Sequence, residues 1–220
     1  MSNLQNMNLS KFFRSIAASL VLAAALNASA DPVRYQASPG SKMKLEGTST
    51  IHDWTVESGI MGGFIEFQSD YPLDPAKPNS DAKITPKVQV TVPVRSLKSG
   101  KGPMDDIMHD NLKVKDNPTI KYTLTEWKPK DRKAGDPLQF DTKGDLTVAG
   151  VTKPIEMVVT LTPEGDKLKA TGSKELKMTD FGMKPPAPAL GLGLIKTADE
   201  VKVTFDWITT KKGDKKTASN

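Results

Sequence analysis

The strongest constraint on the fold is an alternation of apolar and polar residues with a period of about two. Between residues 88 and 94 every second residue is valine, and residues 120–125 and 201–207 repeat the alternation with other apolar side chains. A strand with this pattern buries one face and exposes the other to water. The pattern therefore predicts antiparallel strands around an apolar interior, and it argues against a parallel sheet that is buried on both faces.

Turn signals separate these strand-like runs. The stretch 149–153, followed by Pro154, predicts that Gly144–Leu161 forms a hairpin, and residues 163–166 predict a second turn before a strand over residues 167–177. Asp70–Pro78 holds three prolines and predicts a loop. Further strand-like runs are residues 42–49, 54–57, 62–68, 145–148 and 155–161. The predicted fold class is therefore all-β.

One segment departs from the strand pattern. Pro103–Leu112 begins with a proline and has acidic residues in its first turn, which is typical of a helix start. Its apolar residues recur at helical spacing and are expected to face inward: Met104, Ile107, Met108 and Leu112. Its acids are expected to face water: Asp105, Asp106 and Asp110. We predict a short amphipathic helix that covers one end of a barrel.

The N-terminus has the features of a secretory signal. Lys11 and Arg14 precede an apolar run over residues 16–26, and Ala28, Ser29 and Ala30 supply a cleavage site. We predict a signal peptide over residues 1–30 and a mature N-terminus at Asp31. The predicted mature chain is one domain over residues 31–210 with a basic tail over residues 211–220, in the periplasm or secreted.

Charge and cysteine usage narrow the partners. The chain has no cysteine, which excludes disulfides and thiolate metal sites, and its formal net charge is +5. Much of the positive excess lies in the tail, where no aromatic residue accompanies the lysines. We expect no nucleic acid partner. A transient contact with a membrane surface and a homodimer remain open.

The two histidines raise the alternative of a metal-dependent enzyme. His52 is followed by Asp53, and His109 lies near several aspartates, but no HxH or HxxxH spacing links them. Roles in a loop or on a solvated helix face are expected instead. The chain also has no G-x-S-x-G motif and no phosphate-binding glycine loop. We therefore expect no catalytic residue, no metal and no cofactor.

Four sequence blocks resemble the YceI-like family. Residues 47–54 (GTSTIHDW) are similar to its early signature, and residues 144–155 (GDLTVAGVTKPI) are similar to its most specific hairpin motif. The helix 104–112 with the following NPTIKY, and TDFGM at residues 179–183, resemble its helix and strand and its late D-F-G turn. Together the blocks extend over about residues 42–207.

This resemblance implies an eight-stranded antiparallel, lipocalin-like barrel that is capped by the short helix. It also implies an elongated apolar cavity for a polyisoprenoid or fatty-acid-like chain. The expected ligand-binding residues are Trp54, Phe64, Val90, Met104, Ile107, Met108, Tyr122, Leu124, Phe181 and Phe205. The alternation of residues shows an apolar interior but does not show whether it is hollow. A ligand-free structural or stress-related interaction domain with a filled core is therefore the alternative.

Overall fold

The computed structural model describes residues 32–68, 73–77, 85–187 and 195–213. The predicted signal peptide, its cleavage site at Asp31 and the tail from residue 214 onward lie outside the described residues, as do parts of the proline-rich loop 70–78.

The described residues form ten strand segments, one α-helix and two short 3₁₀ turns. The 3₁₀ turns are Val94–Ser96 and Thr179–Phe181. The helix α1 is Gly102–Asn111. The strand segments are β1 Val33–Ala37, β2 Lys42–Ser49, β3 Trp54–Ser58, β4 Gly62–Phe67, β5 Lys87–Pro93, β6 Thr119–Pro129, β7 Leu138–Val148, β8 Val151–Glu164, β9 Lys167–Lys177 and β10 Thr197–Lys211.

These segments close into a single antiparallel barrel. The sheet runs β1-β4-β5-β6-β7-β8-β9-β10, and β1 pairs with β10 to close the ring. The segments β1 and β2 follow one another along β10, while β4 pairs with β1 and β3 pairs with β2. The ten segments therefore act as eight strands, which confirms the predicted fold class. Closure leaves few free sheet edges.

The hairpin β7–β8 shows how local sequence sets the register. Ala149 and Gly150 both have positive φ, at 50° and 85°, and Val148 pairs with Val151 directly across them. A two-residue turn of this kind matches the twist of the strands beside it. The predicted hairpin is confirmed with a shorter turn, and the inward and outward residues of β7 then alternate along its whole length.

One end of the barrel is packed solid by aromatic and aliphatic side chains. Trp127 stacks on Phe140 with ring centroids 3.9 Å apart, and Phe67 meets Trp127 edge-on at 6.2 Å. Leu138 and Leu168 are buried beside them. Burial of such side chains contributes about 1.5–3 kcal/mol each to folding, so this packed end is a main source of stability.

Helix α1 lies at the other end of the barrel. Its bounds differ from the prediction by one residue at each end, and its exposed acids include Asp106 and Asp110. The expectation that Asp105 faces water is wrong, because its carboxylate accepts hydrogen bonds from the backbone N–H and the hydroxyl of Ser99, each at 2.7 Å. These two bonds hold the pKa of Asp105 below its usual value, and Lys98 lowers it further.

The remaining buried polar residue of the helix is His109. The expectation of a loop or solvated position is wrong for this residue, because its Nε2 lies 3.0 Å from the Leu97 carbonyl. Asp105 and His109 thus both contact the segment that precedes the helix, and these contacts hold α1 against residues 97–99. Among the described residues no helix has the length and apolar content needed to cross a membrane.

The wall of the barrel is incomplete between β8 and β9. Their pairing runs from the turn at Glu164 and Lys167 only as far as Val159 and Gly172. Beyond that point residues 151–158 of β8 pair with β7 alone, and residues 173–177 of β9 pair with β10 alone. We call this opening the β8–β9 cleft.

Candidate ligand cavity

The open half of the barrel holds two adjoining cavities. The larger, the outer chamber, has a volume of about 360 Å³ and lies beneath α1. The smaller, the inner chamber, has a volume of about 120 Å³ and lies between the outer chamber and the packed end. Both are lined by Met43, Leu146, Leu176 and Val203. The two chambers therefore form one elongated space along the barrel.

The surface of this space is almost wholly apolar. The walls of the outer chamber are aliphatic, aromatic and methionine side chains, and its few polar neighbours are Ser49, His52, Asn111, Lys177 and Thr197. The surface of the inner chamber is apolar throughout. Such a space suits a hydrocarbon chain, and the outer chamber alone falls within the range of about 300–1,000 Å³ typical of ligand pockets.

The apolar side of helix α1 roofs the outer chamber. Met104, Ile107, Met108 and Leu112 all line it, as their spacing predicts. Methionine side chains repack at little cost and so adapt to chains of different shape. Apart from a weak contact between Asn111 Nδ2 and Met178 Sδ at 4.0 Å, the side-chain hydrogen bonds of the helix go to residues 97–101. The roof is therefore attached mainly along one side.

The turn at residues 49–53 places Trp54 in the wall of the outer chamber. The Ser49 hydroxyl donates to the His52 carbonyl at 2.7 Å and accepts from the His52 backbone N–H at 3.2 Å. Trp54 Nε1 donates to the Thr48 carbonyl at 3.2 Å. A Cβ atom at Gly47 would lie 2.2 Å from the indole ring, so the ring rests directly on this glycine. The early signature thus builds one wall of the cavity.

Two further glycines receive aromatic rings in the same way. A Cβ at Gly144 would lie 2.4 Å from the Tyr122 ring, and one at Gly172 would lie 2.7 Å from the Phe205 ring. Each ring occupies the place that a side chain at the neighbouring strand position would fill, because the glycine has no side chain. These glycine–aromatic contacts are one physical reason why the centre of the barrel is hollow.

Two polar atoms beside the inner chamber are buried without a partner. Among the described residues, neither the Tyr122 hydroxyl nor Trp207 Nε1 makes a hydrogen bond. The Thr142 hydroxyl, close to Tyr122, donates to the Met157 carbonyl at 2.9 Å. Burial raises the pKa of the Tyr122 phenol. An unpaired buried donor costs about 1–3 kcal/mol.

The late D-F-G turn forms part of the wall of the outer chamber. Asp199 on β10 accepts hydrogen bonds from the Thr179 backbone N–H at 2.9 Å and the Thr179 hydroxyl at 2.5 Å. These bonds lower the pKa of Asp199. Gly182 takes the left-handed conformation at φ 64°, which ends the 3₁₀ turn, and Phe181 is buried in the chamber wall.

The structure brings nine of the ten predicted residues to this space. Those that line the outer chamber are Trp54, Met104, Ile107, Met108 and Phe181. Those that line the inner chamber are Val90, Tyr122, Leu124 and Phe205. Their contact with a ligand remains a prediction.

The placement of Phe64 at the cavity is wrong. Successive residues of β4 point to opposite faces, and Ile65 and Phe67 take the inward face. Phe64 therefore points outward, where the Arg34 guanidinium lies 3.5 Å from its ring centroid.

The prediction missed the residues at the junction of the two chambers. Met43, Leu146, Leu176 and Val203 come from four different strands, and each lies at an inward position of its own strand. The period-two alternation around Leu146 and Val203 is the signal that identifies these two, whereas only the pairing of the strands brings all four together.

The two histidines make separate contacts. His52 is exposed at the rim of the outer chamber, with Nδ1 3.0 Å from the Asp53 carbonyl, and His109 contacts Leu97 as described above. Within the described ranges no group of three or more histidine, aspartate or glutamate side chains is placed to hold a metal ion.

Sequence comparison gives the family. Residues 35–208 match the model of the YceI-like domain, which is most of the chain and nearly the whole barrel. The chain belongs to the YceI-like family. Its relatives include a UPF0312 protein of Pseudomonas aeruginosa, 30% identical over 155 residues that cover 65% of this chain and 75% of that one. A UPF0312 protein of Pseudomonas putida is 31% identical over 157 residues, covering 66% and 77%.

Solved structures share the fold of this YceI-like protein at low sequence identity. BcnA of Burkholderia cenocepacia superposes with a TM-score of 0.59 at 19% identity, covering 77% of this chain and 96% of BcnA. A polyisoprenoid binding domain from Saccharophagus degradans, implicated in plant cell wall breakdown, superposes with a TM-score of 0.62 at 14% identity, covering 83% and 100%.

Proposed function

We propose that this YceI-like protein is an exported carrier that binds one long apolar chain, of the polyisoprenoid or fatty-acid type, inside its barrel. The observation that carries the proposal is the elongated apolar space formed by the two chambers. The Saccharophagus degradans neighbour, a polyisoprenoid binding domain of the same fold, supports this ligand class. The protein acts by binding and not by catalysis.

Several features suit a carrier of this kind. The packed end holds the barrel closed, and the two chambers at the other end leave space that the chain can fill. A chain of some forty carbons at about 0.3 kcal/mol per atom would bind near nanomolar affinity. The roof formed by α1 excludes water from the chain once it is bound. Export through the signal peptide places the carrier in the periplasm or outside the cell.

The test is to recover the ligand from the protein. Full-length protein is expressed with its signal, purified without detergent and extracted with organic solvent for mass spectrometry. The extracted protein is then titrated with a fluorescent fatty-acid probe, and prenyl and fatty chains compete for it. A co-purified chain and saturable, competed binding are expected. A protein that yields no lipid and never binds the probe would instead support the ligand-free interaction domain.

A further inference from the structure

Pro154 lies in the stretch of β8 that borders the β8–β9 cleft. The pairs that flank the two-residue turns, Val148 with Val151 and Glu164 with Lys167, are hydrogen-bonded pairs, and such pairs alternate along a ladder. By this alternation the even-numbered residues of β8 direct their backbone groups toward β9. Pro154 is one of them and has no N–H to donate. The sequence therefore removes a donor from the middle of the unpaired stretch.

The cleft lies directly outside the two chambers. On the β8 side, Ile155 and Met157 line the inner chamber. On the β9 side, Leu176 lines both chambers. The wall at the cleft thus consists of side chains without a hydrogen-bonded ladder between β8 and β9.

Two lysines flank this cleft from inward positions. Lys174 of β9 pairs with Val203 and Lys153 of β8 pairs with Leu146, and both partners line the chambers. The stem of Lys174 lines the inner chamber, yet the surface of that chamber is apolar. Its ammonium group must then reach water through the cleft, as lysine side chains commonly do at apolar surfaces.

The charges around the cleft leave these lysines without an acidic partner. Within the described part of the chain neither Lys153 nor Lys174 makes an ion pair or a side-chain hydrogen bond. On β8, Glu156 faces outward and contacts Lys143 at 3.8 Å. Glu175 of β9 is exposed on the outer face. The cleft therefore presents net positive charge beside an apolar space.

From this arrangement we infer that the β8–β9 cleft is a lateral headgroup site, where Lys174 binds the anionic head of the ligand while its chain fills the chambers, and where Lys153, farther along β8, adds positive charge to the same opening. This inference rests on the proposed function, and it specifies the ligand as an amphiphile with a carboxylate or phosphate head. A charged head at this position keeps its water and gains an ammonium partner, so it escapes the cost of burial.

The test compares anionic and neutral ligands of equal chain. Oleate with oleyl alcohol, and farnesyl phosphate with farnesol, compete for the fluorescent probe on wild type, Lys174→Met, Lys153→Met/Lys174→Met, and the control Lys121→Met on the outer face of β6. Methionine keeps the apolar stem, so the fold should be retained. We expect the double variant to lose about tenfold in affinity for the anions, about 1.4 kcal/mol, and less than twofold for the alcohols.

The outcomes separate this inference from the proposed function. Wild type that binds alcohols as tightly as anions, or an equal loss in Lys121→Met, overturns the lateral site and leaves the carrier intact. Binding of no chain at all overturns the carrier itself. A loss for oleate alone, or for farnesyl phosphate alone, identifies which head the cleft takes.

Discussion

At the scale of single residues, the contact between Gly172 and Phe205 controls the inner chamber. In Gly172→Ala the new Cβ would lie 2.7 Å from the Phe205 ring and 3.2 Å from the Val158 carbonyl, so the ring must turn into the chamber. We expect roughly tenfold weaker binding of the fatty probe and a loss of about 1–3 kcal/mol in stability. Probe titration and urea unfolding measure the two effects.

The control for this variant is Gly102→Ala, where a new Cβ would meet nothing within 4 Å. Adding Phe205→Leu to Gly172→Ala removes the displaced ring and should restore binding. Unchanged affinity in Gly172→Ala would show that ring position does not set the chamber.

Asp105 should make the fold sensitive to acid. Its pKa is lowered in the folded protein, so its stabilising effect is complete above its unfolded value of about 3.9 and is lost as the pH falls through the folded value. Asp105→Asn should cost about 1–2 kcal/mol at pH 7, since the charged hydrogen bonds to Ser99 are lost. The difference from wild type should be constant from about pH 5 to 7 and should shrink as the pH falls below about 3.9.

Urea unfolding of both proteins across this pH range measures the effect, and Asp106→Asn, an exposed neighbour, is the control. If Asp105→Asn remained less stable by the same amount at pH 2, the ionised carboxylate would not be the cause.

At this scale the sequence predicts the direction of a side chain correctly where the period of the strand or helix alone sets it. Ile107 and Met108 reach the chamber because helical spacing places them there. The orientation of Asp105 was not predicted, because it is set by hydrogen bonds from Ser99, which lies outside the helix. The prediction for Phe64 is wrong because the alternation of β4, and not aromatic character, sets which side chains point inward. The glycine–aromatic contacts depend on cross-strand register, which the sequence does not show directly.

At the scale of elements, the β8–β9 cleft predicts uneven amide exchange within one strand. The amides of Glu156 and Val158 face the cleft and should exchange quickly, whereas those of Ile155 and Met157 bond to β7 and should be protected. Thr160 and Thr162, where β8 pairs with β9, should also be protected. Hydrogen exchange followed by NMR measures this, and uniform protection along β8 would mean that the cleft is closed in solution.

The roof formed by α1 can be tested by placing a charge in it. Ile107→Asp puts a carboxylate against the outer chamber, and the cost of burying it should weaken chain binding by at least about tenfold. Stability should fall less, since the helix is attached mainly to residues 97–101 and is outside the barrel ladder. The same change at Ile60, which is 57% exposed, is the control.

Thermal melting and probe binding on both proteins give the result. An Ile107→Asp protein that melts far below the control, beside a wild type that never binds the probe, would favour the filled-core alternative.

Among the elements, the sequence predicts β6 and β10 from their alternation, whereas it does not predict β1 or the first half of β7. Residues 120–125 and 201–207 were recognised and proved to be the centres of β6 and β10. Val33–Ala37 extends over only five residues, and in β7 the inward positions Thr142 and Gly144 interrupt the apolar period. A short alternation is stabilised mainly by its partner strands, as β1 is by β4 and β10, and those partners lie far away in sequence.

At the scale of the whole molecule, export predicts where the mature chain begins. Cleavage after Ala30 would leave Asp31 two residues before β1, so the leader can be removed without loss of a barrel strand. We expect intact mass spectrometry of the exported protein to show an N-terminus at Asp31. Exported protein that still carries residues 1–30 would contradict the signal peptide, and Ala28→Lys, which blocks the cleavage site, should prevent its removal.

The packed end and the hollow end of the barrel have different roles. The stack of Phe67, Trp127 and Phe140 packs one end of the barrel, while the chamber walls at the other end leave space along its axis. Substitutions in the chamber walls are therefore expected to change which chain fits, whereas substitutions in the stack are expected to change stability. Proteins that share this barrel can therefore change the ligand they bind while the fold stays the same. Relatives with one fold can then bind different lipids from different membranes.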